Sequence, residues 1–472
     1  MTTTTRSPAP LAAATRADWL RLAGRAGETA FVTYDGIRVE PLPLPVQTEP
    51  LGTLATRADA DGWDIRAWHA GNDPKATRKA IADDLAGGAT SLVLQLATPG
   101  QFGLAPRYEA IAVALQDVPL ERIGVCFAAG DQYFGAAQCL LSLWDASGQS
   151  AASARGAIHA DPLGTLAQTG ALEVGLWPSL ELLGQFVASN LASWPNVRLL
   201  LADGAIYHDA GASEAQELAA ILASVVEYLR VMDYDGVAAA DVFPRLSIGI
   251  AADCDLFLTI AKLRAARILL ARVADACRAA HAVGHIEIWA KTSQRMLTMQ
   301  APHANSLRNV IAALGAAVGG ADSITVRPHT TALGLPDQAA RRLASRTHAL
   351  LREESGIARV LDPAAGSVQI AKLTDALARR AWSLFQDIEA KGGMAKALLG
   401  GSVQDGIAKT AEKRAADLAS GSFAITGVTA FAGPDRPAAD RTPHPPVAPI
   451  ERAESRIAAM PLRRLSEPYE TC

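Results

Sequence analysis

Short apolar runs alternate along most of this chain with longer stretches whose apolar positions recur every three or four residues. The short runs predict strands at Trp63–Trp68, Ser91–Leu96, Arg122–Phe127, Val197–Ala202, Leu246–Ala251, Ile286–Ala290 and Ser323–Val326, with one more around Ala154–His159. Helical spacing predicts helices over Asp73–Ala86, Leu104–Gln116, Leu180–Ala192, Ser213–Val231 and Leu256–Ala282, and helices continue to Ala419. The clearest unit is Ile286–Pro336. There a strand leads through a polar loop into a helix over Asn305–Val318, with Leu307, Val310, Ile311, Leu314 and Val318 on one stripe. Gly319–Gly320 stops it before the next strand. Such a strand–helix–strand unit demands a parallel sheet. About eight strands joined by helical crossovers predict an α/β fold, a (β/α)8 TIM barrel. The loops Thr292–Thr298 and Arg327–Thr331 follow strands and carry polar side chains, at the end where parallel α/β folds bind ligands.

This rhythm divides the chain. Residues 1–52 form an N-terminal arm with a helix near Ala14–Ala26 and an extended, proline-punctuated stretch Tyr34–Pro45, suited to lying along the body or along a partner. Residues 53–428 are the barrel. Residues 429–472 are a Pro-rich linker and tail, with little to bury in Gly433–Glu451.

At 472 residues the chain can build a large core. A net charge of −4 and a pI near 6.2 give no basic footprint for nucleic acid. No apolar run reaches membrane-spanning length, and Met1–Pro10 lacks the apolar segment of a secretory signal. The five cysteines show no CxxC spacing, so no metal site is expected. Cys126, Cys139, Cys254 and Cys277 lie in apolar segments as expected of buried thiols, and a reducing cytoplasmic location follows. His208-Asp209 reads as the cap region of the helix that begins near Ser213 rather than as an acid–base pair. Lys291, at a strand end, reads as solvated, and Lys262–Arg272 as a surface amphipathic helix that serves packing.

Four stretches carry a resemblance. WDIRAWHAG (Trp63–Gly71), the Ala-Leu-Gly-Leu-Pro end of the 320–336 stretch, REESGIARVLDPAAGS (Arg352–Ser367) and LARRAWSLFQDIEAKGGMAKAL (Leu377–Leu398) resemble motifs of the methylmalonyl-CoA mutase family. The last two are long and ungapped, and the resemblance runs from about Tyr34 to Val428. It implies a (β/α)8 barrel along whose axis a CoA ester threads. It also implies adenosylcobalamin capping the barrel from a separate Rossmann-like domain, and radical rearrangement of the acyl skeleton.

The same resemblance marks losses. Where the family's catalytic subunit has a Tyr after its Trp-x-Ile-Arg-Gln, this chain has Trp68. Its Tyr-His pair falls on Ala205 and Ile206, its carboxylate-binding Arg on Thr169, and a hydrogen-bonding His on Trp289. A nearby Gln falls on Lys291. A dicarboxyl-CoA substrate needs a cation for its free carboxylate, and radical migration needs a donor on the thioester carbonyl. Arg66, Arg245, Ser247 and Ser323 survive at positions the family uses for CoA or substrate. For Arg66, pairing with an acid in the barrel wall stays open as the alternative. None of the nine histidines has the Asp and Gly spacing of the family's cobalt-ligating motif, so the cobalamin-type domain is expected to be absent. The resemblance thus implies a non-catalytic small (β) subunit, paired with a catalytic α-subunit that carries acyl-CoA and adenosylcobalamin. An active barrel subunit served by a separate cobalamin chain, and a stand-alone CoA-ester binding protein, are the alternatives.

Overall fold

The computed structural model describes residues 15–24, 30–41, 43, 62–148, 150–433, 442–448, 450 and 454–470. Eight parallel strands close into a barrel in chain order: β1 (Asp64–His69), β2 (Ser91–Gln95), β3 (Gly124–Ala128), β4 (Gly156–Ala160), β5 (Val197–Asp203), β6 (Leu246–Ala252), β7 (Glu287–Thr292) and β8 (Ser323–Thr325). The ring closes where β8 pairs with β1 through Ser323–Asp64 and Ile324–Ile65. All eight expected strands are present, with ends shifted by one or two residues. They are legible because a strand covered on both faces is apolar almost throughout, as in the fully buried β6.

Helices surround the ring, and their starts are chemically marked. Asp73, Asp161, Ser213, Asp255 and Ser367 each accept a backbone N–H at the head of a helix, and Ser213 forms a reciprocal capping box with Gln216. Among the described residues four helices went unpredicted: Tyr133–Ala146, Pro162–Thr169 and the short Gly204–Asp209 and Ala239–Val242. The helix predicted to run to Ala282 ends at Ala276 and is followed by a 3-10 turn over Ala280–His285. Lys262–Arg272 is not a surface run. Its helix lies in the wall, with Lys262 buried against Glu217 at 2.6 Å and Arg267 buried against Asp322 at 2.9 Å. Among the cysteines, Cys126 is buried as expected, Cys139 and Cys254 are half-buried, and Cys277, in a helix cap, is exposed.

Described parts of the arm and of the tail dock on the barrel. In the arm, Phe31–Val32 and Arg38–Val39 form a small hairpin. Between them Asp35 accepts hydrogen bonds from the Ser213 hydroxyl and the Ala215 amide, while the Arg414 guanidinium lies 4.1 Å from the Tyr34 ring centre. The helix called near Ala14–Ala26 spans Arg16–Ala23, and Pro45 lies outside the described residues. The C-terminal tail differs from the expected linker. Ser455–Arg456 pairs antiparallel with Ala171–Leu172, and the amides of Ile457, Met460, Arg463 and Leu465 donate to the carbonyls of Gly170, Ala167, Asp209 and Arg295. Met460 is buried as a result.

Candidate functional site at the barrel mouth

Inward-facing side chains fill the barrel in layers. At the bottom, the N-terminal ends of the strands, Glu287 is the hub. Its carboxylate accepts from Arg66 at 2.6 Å, Ser247 at 2.5 Å and Ser323 at 3.2 Å. Arg66 also donates to Ser91 at 3.1 Å and Asp64 at 3.2 Å. Burial alone would raise the Glu287 carboxyl, but the Arg66 and Arg198 guanidiniums hold it far below the usual range. Three of the residues singled out from the sequence, Arg66, Ser247 and Ser323, therefore meet here, and all are buried. Arg245 does not join them. Its guanidinium caps the carbonyls of Leu191 and Pro195 beside the barrel wall.

Above this layer the axis is occupied by indoles. Trp289 is 1% exposed and packs with Val93, Cys126, Ala157 and Leu201. It stacks with both Trp68 and His159, with ring centres 5.8 Å and 5.0 Å away. Both indole N–H groups are satisfied, Trp289 by Thr325 at 2.9 Å and Trp68 by Gln95 at 3.1 Å. His159 reaches this position from a left-handed backbone, φ 56°, at a register shift between β4 and β5. Burial holds its imidazole neutral, at about 3.

The top layer lines a cavity of about 460 Å³ at the C-terminal ends of the strands. Lys291 is 3% exposed and paired with Asp203 at 2.5 Å, so the expectation of a solvated lysine fails. The reason is local: Gly249 stands between the two, and a Cβ there would come within 2.4 Å of the Asp203 carboxylate. Trp68, Ala205 and Ile206 line the cavity and Trp289 lies beneath it. Thr169 does not line it, and its hydroxyl is spent on the carbonyls of Thr165 and Ala171. The tail contributes His444, Val447, Met460, Leu462 and Arg464 to the lining.

His208 and Asp209 are not the cap of the following helix, which belongs to Ser213. They end a short helix of their own, Gly204–Asp209. His208 is wholly buried, 2.9 Å from the Ser293 hydroxyl and between Glu217 and Asp253 at 3.3 Å and 3.2 Å. Asp209 accepts from the amides of Gln294 and Arg295. These are ties between the loops after β5 and β7. The residue that sequence reading passed over is Arg327. Its position just past β8 was noted as part of a polar loop, but nothing in the sequence shows that its guanidinium comes to rest 4.8 Å from the centre of the Trp68 ring.

No helix among the described residues is long and apolar enough to cross a membrane, and no cluster of His, Cys, Asp or Glu there has metal-holding geometry. Comparison with known proteins adds the following. Residues 52–466 match the family model described as methylmalonyl-CoA mutase. The chain is 39% identical over 464 residues to a methylmalonyl-CoA mutase small subunit of Streptomyces virginiae, covering 95% of this chain and 72% of the relative. It is 37% identical over 412 residues to the small subunit of Propionibacterium freudenreichii subsp. shermanii, covering 84% of this chain and 63% of that relative. A methylmalonyl-CoA mutase of Escherichia coli is 27% identical over 431 residues.

Proposed function

Because this chain belongs to the methylmalonyl-CoA mutase family, we propose that it is the small, non-catalytic subunit of an adenosylcobalamin-dependent mutase that interconverts methylmalonyl-CoA and succinyl-CoA. In this reading it supports a larger catalytic subunit in a heterodimer. The observation that carries the proposal is the filled axis. A CoA ester threaded through the barrel would have to displace the Trp68–Trp289–His159 stack and the Arg66–Glu287 pair beneath it. Opening that path means breaking a buried ion pair, which costs several kcal/mol. The four residues noted for CoA contact, Arg66, Arg245, Ser247 and Ser323, serve structure in this reading, since their polar atoms are largely committed within the chain.

The residues at the mouth do not fit adenosylcobalamin. A cavity of about 460 Å³, lined in part by the chain's own tail, suits a small molecule and not a corrin. Positions 205 and 206 carry Ala and Ile, with no side-chain donor for a thioester carbonyl. We therefore place substrate and cofactor on the partner, and no step of the rearrangement is assigned to this chain.

The test is co-expression with a candidate large subunit, followed by sizing and a mutase assay with adenosylcobalamin. A stable one-to-one complex is expected, with turnover only when the large subunit is present. Turnover of methylmalonyl-CoA by this chain alone would overturn the reading in favour of an active barrel served by a separate cobalamin chain.

A further inference from the structure

We propose that the cavity at the barrel mouth binds a small organic monocarboxylate, gripped by Arg327 where its guanidinium lies over Trp68. The inference concerns this chain alone and goes beyond the subunit role proposed above.

Arg327 is held in place by its backbone. Its amide donates to the Thr292 hydroxyl at 2.8 Å, and its carbonyl accepts from Asn309 at 2.7 Å, so the residue is tied to the end of β7 and to the helix Ala304–Val318. Among the described residues no acceptor lies within hydrogen-bonding or ion-pairing distance of its guanidinium, and its Nε is fully buried without a partner. Burial lowers its pKa, yet a guanidinium stays charged in proteins. A buried donor left unmade is costly, and its presence calls for a partner that the chain does not supply.

The neighbouring cations are matched. Lys291 has Asp203 at 2.5 Å, Arg464 has Glu470 at 2.5 Å and Arg295 has Asp253 at 2.9 Å. The acids that line the cavity are matched too. Asp161 takes the Tyr228 hydroxyl and the amides of Gly164 and Asp203, while Asp209 takes two amides of the loop after β7. Among the described residues that line the cavity, Arg327 is the cation left over.

The same acids set the ligand's charge. With Asp161, Asp203 and Asp209 lining one cavity, and with Lys291 and Arg464 already paired, a second negative charge on the ligand would find no further unpaired guanidinium or ammonium among the described lining residues. A single carboxylate suits the guanidinium fork, which can bind it through two parallel hydrogen bonds. The rest of the ligand is apolar by the same logic of complementarity. Leu201, Ala205, Ile206 and Met460 are among the apolar residues that line the cavity.

The probe is sodium hexanoate, titrated calorimetrically into the full chain, with hexanoamide and inorganic phosphate as comparisons. Saturable binding at one site is expected for hexanoate, at least tenfold tighter than for the neutral amide or phosphate. Arg327→Gln should weaken hexanoate at least tenfold without lowering the unfolding temperature, and Arg327→Lys should fall between. Absence of saturable hexanoate binding, equal binding of the amide, tighter binding of phosphate, or undiminished binding by a folded Arg327→Gln would each overturn the proposal. The acid-against-amide comparison on the unaltered chain decides the matter even where the variant does not fold. None of these outcomes bears on mutase reconstitution, so the two proposals fail separately.

Discussion

The indole of Trp68 lies on that of Trp289, ring centres 5.8 Å apart and planes 21° from parallel. One comes from the first strand of the barrel and the other from the seventh, so the contact bridges the intervening β8 inside the ring rather than following a strand. It replaces a possible channel with packed aromatic surface, and the predictions below start from it.

Trp289→Ala should be strongly destabilising. The indole is almost fully buried and its loss leaves a void bounded by Val93, Cys126, Ala157 and Leu201, which cannot collapse without moving several strands. A loss of ~3–5 kcal/mol is expected, the range for large aromatic truncations. Urea unfolding followed by circular dichroism measures it. A loss below ~1 kcal/mol would mean that the barrel closes over the void and that the axis is not set by this side chain.

Glu287→Ala should cost ~3–5 kcal/mol, because it removes the buried partner of the Arg66 guanidinium, leaving it only the more exposed Asp64, and removes the acceptor for two buried hydroxyls. The double change with Arg66→Met should be less harmful than the single one, since the buried charge is gone. A double-mutant cycle on unfolding free energy reads this directly. Strict additivity of the two changes would show that the ion pair is not the link.

Stability should vary little between pH 6 and 4 and fall steeply below 4. Burial holds the imidazoles of His69, His159 and His348 at about 3, so their contribution is complete above ~6.5 and is lost as pH falls towards 3. Burial pushes Asp35, Asp84, Asp161 and Asp255 up to about 6, and their contribution runs the other way, growing as pH falls from 6 to 4. The two sets oppose each other over that window. Below it the carboxylates held down by cations take over. Burial would raise Glu217, but Lys262 and His208 hold it at about 2, and its contribution is lost as pH drops from ~4.5. Urea midpoints at pH 6.5, 5, 4 and 3 check the shape. A steep loss already complete by pH 5 would contradict the opposition of the two sets.

The fold was legible in the sequence where local chemistry and topology agree. Strands of a ring covered on both faces announce themselves as apolar runs, and Asp73 and Ser213 mark their helices by the hydrogen bonds they accept. What stayed hidden are contacts made between distant strands. Arg327, Trp68, Trp289 and His159 form one stacked series drawn from the strands or strand ends of β8, β1, β7 and β4, and no spacing in the chain relates them. His159 depends on a left-handed backbone that non-glycine residues rarely adopt and that its neighbours do not signal. Lys291 looked like a surface lysine because the space made by Gly249 and the acid at Asp203 belong to two other strands. The tail read as a linker because its prolines are obvious, whereas the backbone bonds it forms with Gly170 and Ala167 are not written in side chains.

The bottom hub also sets an order of events. Arg66 and Glu287 are 221 positions apart, and the first strand finds its outer neighbour only in the last. A ribosome adding about 5–20 residues per second takes on the order of tens of seconds to cover that interval. During it β1 has one edge unpaired and Arg66 has no Glu287 to meet. The nascent ring is therefore an open sheet with a charged, sticky margin for most of its synthesis, and its closure is a late and long-range step. Changes at Arg66 or Glu287 would accordingly be felt first in the cell as lost yield of soluble protein, before any purified sample reported a shift in stability.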